Sequence, residues 1–152
     1  MGILVRKVYD FSLVKSENHI SKFVHPYISD SKRLREKYNL MLLYTYSTFI
    51  QELEHLLDMH EVNIDASDSL SGDTPLCCAA GAGQNGSCIV LLRRGASLSE
   101  ANLKECRPLH MATRQGHWGV ADTLLKEGAD PNQLDGGQRS PLMIAALEGH
   151  LG

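Results

Sequence analysis

Residues 107–132 read RPLHMATRQGHWGVADTLLKEGADPN, and this stretch decides the fold. Pro108 suits the opening of a helix, because the first helical N–H has no intrahelical acceptor and its loss costs nothing. Gly116 breaks that helix after Ala112-Thr113-Arg114-Gln115. Val120, Leu124 and Leu125 then recur at i, i+4 and i+5, the buried stripe of a second helix. Gly128 closes it, and Ala129-Asp130-Pro131-Asn132 begins a polar connection rich in turn formers. Working outward, the same marks return 33 residues away on either side. Pro75, Pro108 and Pro141 keep that step, as do Leu76, Leu109 and Leu142, and Gly83, Gly116 and Gly149. Ala79, Ala112 and Ala145, the pair Gly95 and Gly128, and the pair Leu91 and Leu124 follow it without a slip.

Each period therefore predicts two short helices. Thr74 before Pro75 supplies a capping hydroxyl, and Ala79 and Ala80 let neighbouring helices approach closely. Neither helix is long enough to persist alone in water, so the units must stack to bury their faces. Upstream, one insertion makes the step 34 and sets Leu42 on Leu76, Leu56 on Val90 and Leu57 on Leu91. Phe49, Ile50, Leu53, Leu56 and Leu57 form an amphipathic helical face there, although Met41–Tyr46 lacks the proline and the alanine pair.

These residues resemble the ankyrin repeat, whose pattern of Thr-Pro-Leu-His, Ala-Ala, Gly-His, Leu-Leu and Gly-Ala-Asp-x-Asn appears here in parts. The fullest copy runs from Arg107-Pro108-Leu109-His110 through Gly116-His117 and Leu124-Leu125 to Gly128-Ala129-Asp130-Pro131-Asn132. The resemblance implies an all-α fold: an ankyrin-repeat solenoid of stacked helix-turn-helix units with a helical N-terminal capping region. The expected divisions are a helical, partly mobile basic segment (1–36), a degenerate first repeat acting as a cap (37–68), repeats at 69–101 and 102–134, and an incomplete repeat at 135–152. Ser16 and Ser29-Asp30-Ser31 mark candidate helix starts within the first segment. The third unit stops before its second helix, which leads us to expect the N-terminal part of a longer protein, with Leu142 and Ile144 exposed on the last helix.

For function, the resemblance implies a non-catalytic protein–protein interaction module. In such proteins the partner meets the tips of the connections and the exposed face of the first helices. Carried over by register, those positions are Leu70, Ser71 and Asp73, then Leu103, Lys104, Cys106, Arg114 and Gln115, then Gly136, Gly137, Arg139, Leu147 and Glu148. Leu70 and Leu103 are the most suggestive, since an apolar side chain on a projecting turn has little structural reason to be there. Similar arrays also serve as substrate receptors of ubiquitin ligases when a SOCS box follows, or precede effector domains, which is the alternative reading.

Other chemistries fare worse. The seven histidines show no ligand spacing, and His110 shares its slot with Cys77 and Met143, a packing position rather than a metal shell. His117 and His150 share a slot with Gln84, where each has a turn backbone to bond. Cys78 with His110 is the nearest nucleophile and base, and it fails for the same reason. Asp65, Asp68 and Asp73 lack the calcium-loop order and read as solvated turn carboxylates. Gly81-x-Gly83-x-x-Gly86 follows no strand and so is no dinucleotide loop. Arg93-Arg94 reads as a solvated helix end. No catalytic residue, cofactor or metal is expected. Four cysteines without a paired spacing suit reduced thiols in the cytoplasm, with the nucleus as the alternative.

The 152 residues carry fifteen Lys and Arg against eighteen Asp and Glu, a net charge of −3 that gives no reason to expect nucleic-acid binding. The balance is uneven. Residues 1–38 carry a charge of +4, and residues 39–152 carry −7. No apolar run reaches the ~20 residues of a membrane span, and the N-terminus has the charge order of neither a secretory signal nor an acylation site. A protein partner is what remains.

Overall fold

The computed structural model describes residues 50–58 and 62–150, and these hold six helices. They are α1 (Ile50–Asp58), α2 (Pro75–Gly81), α3 (Asn85–Arg93), α4 (Pro108–Arg114), α5 (Trp118–Lys126) and α6 (Pro141–Leu147). The expected N-terminal segment 1–36, the Met41–Tyr46 stretch and Phe49 lie outside the described residues.

The three proline-led helices are equivalent, each of seven residues. Thr74 Oγ1 accepts the Cys77 N–H at 3.2 Å, and Ser140 Oγ accepts the Met143 N–H at 3.3 Å, which satisfies an orphan donor in each first turn. Arg107 has no hydroxyl to offer at that slot. There His110 bends back, and its Nδ1 accepts the Arg107 N–H at 3.1 Å. The C-termini close alike: the amides of Gln84, His117 and His150 donate to the carbonyls of Ala79, Ala112 and Ala145 at 2.8–3.0 Å.

Packing arranges the helices in two layers. The first helices α2, α4 and α6 lean on one another in a row, and the second helices α1, α3 and α5 form a parallel row behind them. Leu53, Leu56, Leu76, Leu91, Leu109, Leu124 and Val120 fill the seam, with Ala79, Ala80 and Ala112 where backbones draw close. Each fully buried leucine contributes about 2 kcal/mol of burial, and the fold is thus the all-α ankyrin-type solenoid.

Several positions depart from expectation. Leu125 is 44% exposed, because the buried side of α5 is completed by Ala121 between Val120 and Leu124. Ile144 is buried, and the large apolar residues that α6 exposes are Leu142, Met143 and Leu147. Leu142 is 78% exposed although Leu76 and Leu109, in the same slot, are 0% and 4% exposed. The outer faces of α2 and α4 are each covered by the next first helix, and α6 is the last described helix.

The extra upstream residue can also be placed. Asp68 N–H bonds the carbonyl of Asp73, five residues on, whereas Asn102 and Asp135 bond Cys106 and Arg139, four residues on. The insertion is in that first connection. Upstream of it a step of 34 holds at the next turn, where Asn63, Ser97 and Asp130 each accept the N–H two residues ahead. Along α1 the fit is poorer: the same step sets exposed Glu54 on fully buried Cys88 and half-buried Leu57 on fully buried Leu91. The buried pair Leu53 and Leu56 superposes on Cys88 and Leu91 only at a step of 35.

Candidate recognition surface

Each connection between units folds as a finger pinned at its base by one polar side chain. Asp68 Oδ2 accepts Ser71 N–H at 3.0 Å and Ser71 Oγ–H at 2.9 Å. Asn102 Oδ1 accepts the N–H groups of Lys104 and Cys106, both at 2.9 Å. Asp135 Oδ1 accepts those of Gly137 and Arg139 at 2.9 and 3.0 Å. Neighbouring fingers are then joined through the backbone. Leu103 N–H donates to the Ser71 carbonyl, and Gly136 N–H to the Lys104 carbonyl, each at 3.0 Å. The tip turns through a positive φ at Gly72 (72°), Glu105 (56°) and Gln138 (58°), so two of the three fingers place an ordinary residue in the left-handed region.

On this frame Leu70 is 75% and Leu103 73% exposed, at matching points of successive tips. Lys104, Gln115, Gly136, Gly137, Leu147 and Glu148 are also exposed, and Ser71 is half-buried. Two of the sequence-derived positions are not at the surface. Cys106 is 1% exposed because the Arg114 guanidinium lies over it, Nη2 3.3 Å from Sγ. Asp73 is buried too, and its Oδ1 accepts Asn102 Nδ2–H at 2.7 Å. The turn carboxylates expected to be solvated are hydrogen-bonding pins; Asp65 Oδ1 takes the Ser97 N–H at 2.9 Å.

Arginines gather beside the third finger. Asp135, 1% exposed, receives Arg139 Nη2 at 2.7 Å and Nε at 3.1 Å on Oδ2, and Arg114 Nη2 stands 3.8 Å from the same oxygen. The hydrogen bonds from Arg139 hold the Asp135 carboxyl down at about 2. Arg107 spans three carbonyls, donating to Ser99 from Nε at 3.1 Å and to Leu134 and Glu105 from Nη1 at 3.3 and 3.4 Å. That staple was not legible at a slot where Thr74 and Ser140 serve as caps.

His110 is occupied on both nitrogens by backbone, with Nε2 2.9 Å from the Gln133 carbonyl oxygen. Burial pushes its pKa down. Cys77 and Cys88 are fully buried, which pushes their thiols up to about 11 and about 12, the opposite of a nucleophile's environment. Among the described residues no three His, Cys, Asp or Glu side chains gather as a metal site. A shallow groove between α3 and α5 is lined by Ile89, Leu92, Arg93, Thr123, Lys126 and Glu127, none of which is a sequence-derived site position.

The family model for ankyrin repeats, in three copies, matches residues 40–135, more than half of the chain. The chain belongs to the ankyrin-repeat family. Ankyrin arrays are protein–protein interaction modules, typically non-catalytic, and this one therefore has a protein as its partner class. No helix among the described residues is long and apolar enough to cross a membrane.

Proposed function

We propose that this ankyrin chain binds its partner across the finger tips and the adjoining first helices. The contact residues are Leu70, Ser71, Leu103, Lys104, Arg114, Gln115, Gly136, Gly137, Arg139, Leu147 and Glu148. The units are those at 37–68, 69–101, 102–134 and 135–152. The observation that carries this reading is the pair Leu70 and Leu103, three-quarters exposed on fingers whose backbones are bonded to each other. Apolar side chains held out on a rigid frame lose little entropy on binding, so their burial goes into affinity. Four buried cysteines that form no disulfide fit a reducing compartment, and we place the protein in the cytoplasm or nucleus.

The test is affinity capture with the intact protein, then measurement of the recovered partner's Kd. Replacing Leu103, Lys104 and Arg114 together by alanine weakens binding tenfold or more. Unchanged affinity moves the surface elsewhere.

A further inference from the structure

Resting on that reading, we propose the chemistry of the partner: a peptide segment bearing an Asp or Glu side chain next to an apolar one, its carboxylate received by Arg114 and Lys104. The array is acidic overall, since residues 39–152 carry fourteen acidic and seven basic side chains. Its cations are not spread evenly. Lys104, Arg107, Arg114 and Arg139 all sit on or against the finger at 134–139, through side chain or backbone. Arg94 and Lys126 are spent on Asp58 and Asp122 on the second helices.

Within the cluster Arg139 takes the buried carboxylate, and the other three cations have no carboxylate oxygen within hydrogen-bond distance among the described residues. Asp135 is saturated: its two oxygens take the Gly137 and Arg139 amides and the Arg139 fork. Arg107 is held on carbonyls through Nε and Nη1. Among the described residues Arg114 has the Cys106 sulfur at 3.3 Å, a weak acceptor, and a 3.8 Å approach to Asp135, although its side chain is three-quarters covered. A guanidinium that far out of water normally has its donors filled by an anion, and its planar fork matches a carboxylate. Lys104, exposed on the adjoining finger, adds a second positive charge, and Gly136 and Gly137 put no side chain in the way. Glu148 favours the Arg139 charge from a distance but forms no ion pair among the described residues, so it does not fill the Arg114 fork. Leu103, next to Lys104 in the chain, and Leu147, at the position of Arg114 one unit on, are 73% and 70% exposed and offer the apolar surface.

The experiment is a selection from random twelve-residue peptides, displayed with the C-terminus fused so that only side chains supply carboxylates. The intact 152-residue protein serves as bait, and selected sequences are remade as amidated peptides. Expected is enrichment of Asp and Glu over Lys and Arg by at least threefold, with an apolar neighbour. For the best peptide, Arg114→Gln weakens Kd about tenfold, Glu→Gln in the peptide does the same, and the two losses together are no larger than either alone. Lys104→Gln, at an exposed position, gives a smaller loss and confirms the surface should Arg114→Gln melt early. Selection of basic or uncharged peptides that the L103A/K104A/R114A protein fails to bind overturns the carboxylate and leaves the surface standing. Peptides indifferent to that triple change, or no enrichment at all, overturn both.

Discussion

The imidazole of His117 lies on Gly83, one unit back, so closely that a Cβ there would stand 2.7 Å from Nδ1. His150 repeats the contact on Gly116, where the gap would be 2.9 Å, and its Nε2 sits 3.0 Å from the Arg114 carbonyl oxygen. At Gly149, with the same left-handed turn, nothing among the described residues lies within 4 Å. The three glycines share one backbone demand, and two of them carry a packing demand as well. Gly149→Ala should cost about 1 kcal/mol for the positive φ alone. Gly83→Ala and Gly116→Ala should each cost at least about 1 kcal/mol more, because a ring must move. Urea unfolding of the three variants separates the two effects.

Leu109 and Leu142 are the same letter of the repeat in opposite surroundings. Leu109→Ala removes a buried side chain and should destabilise by about 2–5 kcal/mol. Leu142→Ala should stay within about 0.5 kcal/mol. Equal losses in chemical denaturation would mean that α6 is covered as α2 and α4 are.

Glu105 and Gln138 hold the left-handed tip position that Gly72 fills in the first finger. Either residue changed to glycine relieves the φ strain but adds unfolded-state freedom, for a net gain of about 0.5–1 kcal/mol. Gly72→Ala goes the other way, since its Cβ would meet the Leu103 backbone nitrogen at 2.8 Å. Thermal melts read all three.

Acid should weaken the fold in two steps. His110 is held neutral, its Nδ1 accepting and its Nε2–H donating, with burial keeping its pKa below 6.5 against the opposing pull of Asp135. The unfolded chain then takes up this proton first as pH falls. The His110 contribution is whole above 6.5 and drains away below it. Asp135 behaves likewise lower down: its contribution is present above 3.8 and lost as pH falls toward about 2. Urea midpoints from pH 7 to 5 should decline in the parent protein and decline less in His110→Gln.

Ser87 has a fully buried hydroxyl with no hydrogen-bond partner among the described residues. The next unit places Val120 at that position. Ser87→Ala should therefore raise stability by about 1 kcal/mol, because an unmet buried polar group costs about that much. A fall in melting temperature would indicate that the hydroxyl has a partner after all.

The sequence was readable wherever backbone geometry dictates residue type. Proline at a helix start, glycine at its end and leucine in the seam are each demanded locally, so a spacing of 33 exposed the helical pairs and their stacking order. It was silent where burial depends on a neighbour's side chain. Cys106 is covered by Arg114, eight residues on, and Asp73 is tied down by Asn102 of the next finger. Neither contact leaves a mark in residue spacing. Arg107 at a capping slot looked like simple divergence, yet it laces three turns together through their carbonyls. The extra upstream residue was inferable as a count, but only the bond from Asp68 to Asp73 located it.

The bonds from Leu103 to Ser71 and from Gly136 to Lys104 are made by peptide groups alone. Any amino acid but proline can donate from position 103, whereas a Cβ at Gly136 would stand 2.9 Å from the Lys104 carbonyl oxygen that its N–H bonds, so the lettering at 103 and 104 can be rewritten without cutting the rungs while Gly136 is fixed by the rung itself. Partner choice and architectural soundness are thereby entrusted to different atoms. A graft of foreign residues at 103 and 104, with Gly136 kept, ought to change what the array grips while leaving how firmly it stands almost untouched.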